Sequence, residues 1–144
     1  SKLNARAGNR DDALRCLQKA LEQYQIAGLT TNLSAIRDAT AGLCEKDCQD
    51  EDRPYLVARY PFDDHGKSLT MGELHGHVKI LCDPRSGEIL GAHIAGPEAG
   101  ELIHELIAVM YFRGTVRDLA RIPHYHPTLA EILTYPAEEL AEQL

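Results

Sequence analysis

A chain of 144 residues with a formal net charge of −7 is one ordinary domain or two small ones, long enough to bury a core. Its 15 Lys and Arg are scattered among 22 carboxylates, which argues against a nucleic-acid surface, because that function needs clustered basic side chains. No apolar run approaches the length of a membrane span and the N-terminus lacks the layout of a signal peptide, so a soluble, cytoplasmic protein that binds neither nucleic acid nor membrane is expected.

Residues 1–41 read as a module of their own with a helix–strand–helix pattern. Asn9 or Asp11 can cap a helix whose apolar residues Ala13, Leu14, Leu17, Leu21 and Tyr24 recur at three- and four-residue steps. A short strand over 25–30 follows, and Asn32 or Ser34 can cap a brief helix over 35–40. Residues 42–54 then crowd Glu45, Asp47, Asp50, Glu51 and Asp52 before Pro54. Like charges at that density predict an extended, solvated linker. Cys44 and Cys48 lie in it, and with no second ligand pair at metal spacing they read as two reduced surface thiols.

Strand signals begin at Tyr55. Tyr55 to Tyr60 ends at Pro61; Val78 to Cys82 alternates before the turn Asp83-Pro84-Arg85-Ser86-Gly87; Ile89 to Ile94 follows it. Two such runs across a Pro/Gly turn predict an antiparallel hairpin, with Asp63 to Lys67 as a loop before it. The clearest helix comes next: Glu98 and Glu101 suit its positive end, Leu102, Ile103, Leu106, Ile107 and Met110 make one apolar face, and Gly114 supplies a stop. A short helix over 116–120 and a further one over 128–144, with a break before Pro136, complete the pattern.

Between those last helices stands His124-Tyr125-His126-Pro127-Thr128-Leu129-Ala130-Glu131. Pro127 fixes its own φ and restricts His126, so the His126 imidazole should project from a rigid corner, with Glu131 in the next helix's first turn. A carboxylate that accepts a hydrogen bond from one ring nitrogen selects the tautomer and raises the basicity of the other, which makes a directed general base. The same spacing also describes a plain histidine at a helix entrance with a glutamate favoured by the helix dipole. Seven histidines raise the idea of a metal, since His75 and His77, like His124 and His126, are two residues apart. Neither pair has a third ligand placed by sequence.

The corner, with His126-Pro127-Thr128 and Glu131 preceded by His124, resembles the C-terminal signature of the pyridine nucleotide-disulfide oxidoreductases. The likeness extends upstream through Gly76-His77-Val78-Lys79-Ile80, through Gly87 to Ile94, and through Gly96-Pro97-Glu98-Ala99-Gly100-Glu101 to Glu105. Over 55–144 it is similar to that family's dimerisation (interface) domain, in the manner of dihydrolipoamide dehydrogenase. Residues 1–36 instead resemble the C-terminal end of biotin carboxylase, through Asn9 to Leu14, Ala20-Leu21-Glu22 and Ile26 to Leu33, a structural unit from which no functional residue is carried over.

These resemblances imply an α+β fold: an antiparallel sheet of three to five strands with helices packed on one side, behind the N-terminal segment and the linker. They further imply a homodimer in which His126 acts as general base towards a dithiol in the partner subunit's active site. Glu131 would orient His126, and His124 and Tyr125 would line the approach. Tyr125 stands where the family often has a small residue, and Ala130 replaces a frequent serine. FAD and NAD(P) belong to the FAD- and NAD-binding domains of the parent enzyme; this sequence has no Gly-x-Gly-x-x-Gly loop to hold either. The family's opening strand and short helix have no recognisable counterpart. Either the carboxylase-like segment replaces them, or one sheet edge stays open to pairing with another chain. A non-catalytic dimerising module made from pieces of two enzymes, or a biotin carboxylase accessory segment, are the alternative readings.

Overall fold

The computed structural model describes residues 37–144. The sequence readings for 1–36, the helix after Asn9 and the carboxylase-like unit included, lie outside the described residues.

Among the described residues four strands make one antiparallel sheet: β1 (Arg37–Gly42), β2 (Leu56–Pro61), β3 (His77–Cys82) and β4 (Ile89–Gly96), in the order β1-β4-β3-β2. The sequence reads as strands because alternate residues suit opposite faces of a pleated sheet. Ala41, Ala92, Ile80 and Ala58 stand in register across all four strands, and Ala39, Ile94, Val78 and Tyr60 form the next row. Both rows face the main core. Small alanines on β1 and β4 let a helix lie close against that side.

That helix is α3 (Ala99–Tyr111), which buries Leu102, Ile103 and Leu106. It packs on β1 and β4, while α5 (Thr134–Glu142) covers β2 and β3, and α4 (Val116–Arg121) packs on α5. The expected α+β architecture, an antiparallel sheet of three to five strands with helices, is therefore the observed one, with α3, α4 and α5 on one side and a short helix (Glu45–Asp50) against the other face. Ile107, assigned to the apolar face of α3, is 41% exposed. The residue that takes the left-handed conformation after α3 is Arg113, φ 56°. Gly114 serves a close approach instead, since a Cβ there would sit 2.5 Å from Val109 Cγ1.

Three readings are corrected. The brief helix over 35–40 is strand β1 from Arg37 onward, paired along its whole length with β4. The extended linker over 42–54 contains helix α1 (Glu45–Asp50), so the domain's opening strand and short helix are present after all. Part of its charge is paired: Glu45 meets Lys79 at 3.1 Å and also Arg59, and Asp47 Oδ2 accepts from the Cys44 N–H at 2.7 Å, while Lys46 and Asp50 pair on the exposed surface beside the exposed Glu51 and Asp52. The third correction is the loop at Asp63 to Lys67, where a 3-10 turn (Phe62–Asp64) leads into helix α2 (Gly66–Met71). Phe62 is fully buried and draws that segment onto the sheet.

The cysteine reading also changes. Cys44 and Cys48 are buried, and Cys48 packs with Leu81 and Leu90 on the sheet face opposite α3. Burial raises the Cys48 thiol above its ordinary pKa and pushes Cys82 up to about 11. Thiols so disfavoured as thiolates are poor nucleophiles. Gly91 makes this second layer possible: a Cβ on it would lie 1.8 Å from the Leu43 carbonyl oxygen, so only glycine lets the chain cross β4 there. Leu43 is held by its N–H to Leu90 O at 2.9 Å and by the His93 Nε2–H, which donates to Leu43 O at 3.1 Å. His93 thus serves the fold, tying β4 to the segment after β1.

Candidate active-site corner

α4 begins on a capping box. Thr115 Oγ1 accepts from the Asp118 N–H at 3.1 Å, and Asp118 Oδ2 accepts from the Thr115 N–H at 2.8 Å. Beyond Ile122 the chain loses regular structure until a 3-10 turn (Ala130–Leu133) that runs into α5. His124, Tyr125, His126 and Glu131, the residues the resemblance assigns to the active site, lie on this corner.

The structure brings His126 and Glu131 together. His126 Nδ1 donates to Glu131 Oε1 at 2.8 Å, and Glu131 Oε2 accepts from the Thr128 N–H at 2.7 Å. One carboxylate therefore fixes both the ring and the backbone of the corner. With Nδ1 carrying the hydrogen, the neutral ring presents a bare Nε2, and the side chain is 82% exposed. The Glu131 carboxyl is held below its usual range, first by the Thr128 N–H and then by the His126 ring. Thr128 contributes that N–H alone, since its hydroxyl is buried with no hydrogen-bond partner among the described residues.

A lowered folded pKa means that ionised Glu131 adds stability above the ordinary carboxylate range, about 4.3, and that this stability is lost as pH falls through the folded value. Glu131→Gln should therefore be less stable than the parent near neutrality, with the difference shrinking below about pH 4.3. Urea midpoints across that range measure it; a difference that does not change with pH would show that the carboxylate is not engaged in these bonds.

Behind Glu131 lies an aromatic layer. His65 is buried, hydrogen-bonded through Nδ1 to Ser68 Oγ at 2.9 Å, and meets Tyr135 edge-on at 5.9 Å. Tyr135 stacks on Tyr60 at 4.2 Å. Burial lowers the His65 pKa, with the Glu131 carboxylate acting the other way. Burial also pushes Tyr60 up to about 12, helped by Asp64, whose carboxylate accepts from the Tyr60 hydroxyl at 3.0 Å.

The corner's other two residues part company with the dyad. Tyr125 stands 84% exposed. The His124 imidazole turns inward to Glu105 on α3, with Nε2 at 2.7 Å from Glu105 Oε1. Glu105 is the site residue that sequence reading missed, because it lies 19 positions away and no short spacing reveals a partner contributed by another helix.

The family described as pyridine nucleotide-disulphide oxidoreductase, dimerisation domain, matches residues 30–137. The chain belongs to that family. As a dimerisation domain it is similar to the dihydrolipoyl dehydrogenase of Haloferax volcanii, with 39% identity over 104 residues, 72% of this chain and 22% of that protein. The Manduca sexta dihydrolipoyl dehydrogenase is 42% identical over 89 residues, 62% of this chain and 18% of that one. Among solved structures, LpdA from Mycobacterium tuberculosis matches with TM-score 0.68 and 25% identity over 72% of this chain and 22% of its own. A copper(II) complex of the HOCl-induced flavoprotein disulfide reductase RclA from Escherichia coli shares the fold, with TM-score 0.68 at 20% identity over 71% of this chain and 23% of that one. The chain spans about a fifth of the length of these relatives.

In the dimerisation domain the two histidines of the second pair turn to different carboxylates, His124 to Glu105 and His126 to Glu131. β3 starts at His77, and Gly76, φ 105°, breaks the alternation that would align His75 with it. Among the described residues no group of three or more His, Cys, Asp or Glu is placed to hold an ion. No described helix is long and apolar enough to cross a membrane.

Proposed function

We propose that this chain is the interface domain of a dihydrolipoamide-dehydrogenase-like flavin enzyme, that two copies pair, and that each supplies His126 as general base to its partner's active site. The observation that carries this reading is the exposed His126 ring held by Glu131 at 2.8 Å. Such a ring can take the proton of one thiol of a dithiol such as dihydrolipoamide at Nε2. The thiolate then attacks a sulfur of the enzyme's disulfide, forming a mixed disulfide and expelling the other enzyme sulfur as thiolate; the second substrate thiol gives up its proton and attacks the substrate sulfur of the mixed disulfide, closing the product disulfide and releasing the second enzyme sulfur. The two electrons pass from the substrate dithiol to the enzyme's pair of sulfurs. Glu131 keeps Nε2 as the accepting nitrogen and stabilises the imidazolium that forms.

FAD and NAD(P) would carry the electrons onward in such an enzyme. The residues here do not fit either group, since the sequence lacks the glycine loop that cradles a pyrophosphate and its described thiols are buried. The step that falls to this chain is the proton transfer. Alone it is a pairing module without turnover.

Sedimentation of the 144-residue chain tests the pairing. The expected species is colourless, with twice the 15.9 kDa mass of one copy. A monomer throughout the micromolar range would overturn the pairing, and flavin absorbance in the purified chain would overturn the division of labour.

A further inference from the structure

His124 shares the corner with His126 but not its surroundings. Its side chain is only 8% exposed. Nδ1 lies 2.8 Å from the Ile122 carbonyl oxygen, and Nε2 lies 2.7 Å from Glu105 Oε1. A carbonyl oxygen and a carboxylate can only accept, whereas a neutral imidazole has a single N–H. Both contacts are made at once when both ring nitrogens carry hydrogens, which sets an imidazolium against a carboxylate in a partly buried, charge-assisted bond.

Position gives this pair its use. From Ile122 to Leu129 the chain has no regular secondary structure, so side-chain ties set its path. Glu131 ties the end near Thr128, and Glu105 reaches across from α3, a helix whose neighbouring Leu106 is locked in the core. His126 lies between these two ties, two residues from the second.

We propose that Glu105 is a positioning residue for His126: by holding His124 as an imidazolium it fastens the corner to α3 and fixes where the His126 ring stands. What His126 is positioned for rests on the general-base reading above, but the clamp shows itself without turnover.

Nitrogen-15 NMR of the labelled chain near neutral pH tests it. In the parent, His124 should show two protonated ring nitrogens, and His126 a protonated Nδ1 with a bare Nε2. In Glu105→Ala, His124 should lose one N–H and His126 should average between its two tautomers, while the β3 amide signals stay in place and report an intact sheet. Glu105→Gln keeps an acceptor and should restore the His126 pattern, a rescue that general loosening of the fold would not give. A bare nitrogen on His124 in the parent, or a fixed His126 tautomer in folded Glu105→Ala, overturns the proposal. If Glu105→Ala does not fold, the parent His124 signals and Glu105→Gln decide it alone. Failure of the general-base reading would appear as unaltered turnover on replacing His126, which leaves these nitrogen signals untouched.

Discussion

Replacing His126 by Gln should slow dithiol oxidation by about 10²- to 10⁴-fold, the usual worth of a positioned general base, or about 3–5 kcal/mol of activation free energy. The measurement needs a redox disulfide and a flavin. A chimera supplies both, with residues 37–144 replacing the matching segment of the Haloferax volcanii dihydrolipoyl dehydrogenase, which is 39% identical over 104 residues. Glutamine keeps a donor for Glu131 Oε1, so the corner retains its shape and loses only the proton acceptor. Because His126 is mostly exposed, the change should move stability by no more than about 0.5 kcal/mol. A base that works in the chemical step lowers kcat and kcat/KM together. A rise in KM at constant kcat would instead assign His126 to substrate binding. Full turnover in a chimera that still sediments as a dimer would end the general-base reading. Glu131→Gln should reduce the rate less, since it removes the orienting charge and leaves the imidazole in place.

The parts of this domain that could be read from sequence are those whose causes are local. The β3–β4 hairpin shows itself in alternating residues around a Pro/Gly turn, and α3 in an apolar stripe. The His126–Glu131 pair shows itself because a proline and a 3-10 turn bring residues five apart into contact. The opening of the domain was misread for the opposite reason. Glu45 looks like one more charge in an acidic run until Lys79, 34 positions away, and Arg59 meet it. Cys48 looks exposed until Leu81 and Leu90 are known to turn towards it from the second face of the sheet. β1 has only Ala39 and Ala41 to mark its inner face, too little apolar area to announce a strand, though enough where a helix must approach closely. Glu105 was invisible for the same reason, because its partner arrives through the folding of two other elements.

Those alanines make Leu106 the side chain whose loss should unfold the domain most readily. Leu106→Ala should cost about 2–5 kcal/mol, with the upper half of that range expected. Leu106 is fully buried on α3, a helix packed over β1 and β4, and those two strands offer that core Ala39, Ala41 and Ala92. Alanine methyls are fixed to the backbone and have no rotamer with which to fill a void. A cavity that cannot collapse adds its own penalty to the lost transfer free energy. Ile107→Ala on the same helix is the control: at 41% exposure it should cost less than half as much, provided both are measured at one concentration, because pairing of copies would add to apparent stability. Urea unfolding with an unchanged slope and a lowered midpoint would report the loss as stability alone. A cost for Leu106→Ala no larger than for Ile107→Ala would mean that α3 does not bury this face. Its neighbour Glu105 would then have no rigid base from which to hold His124.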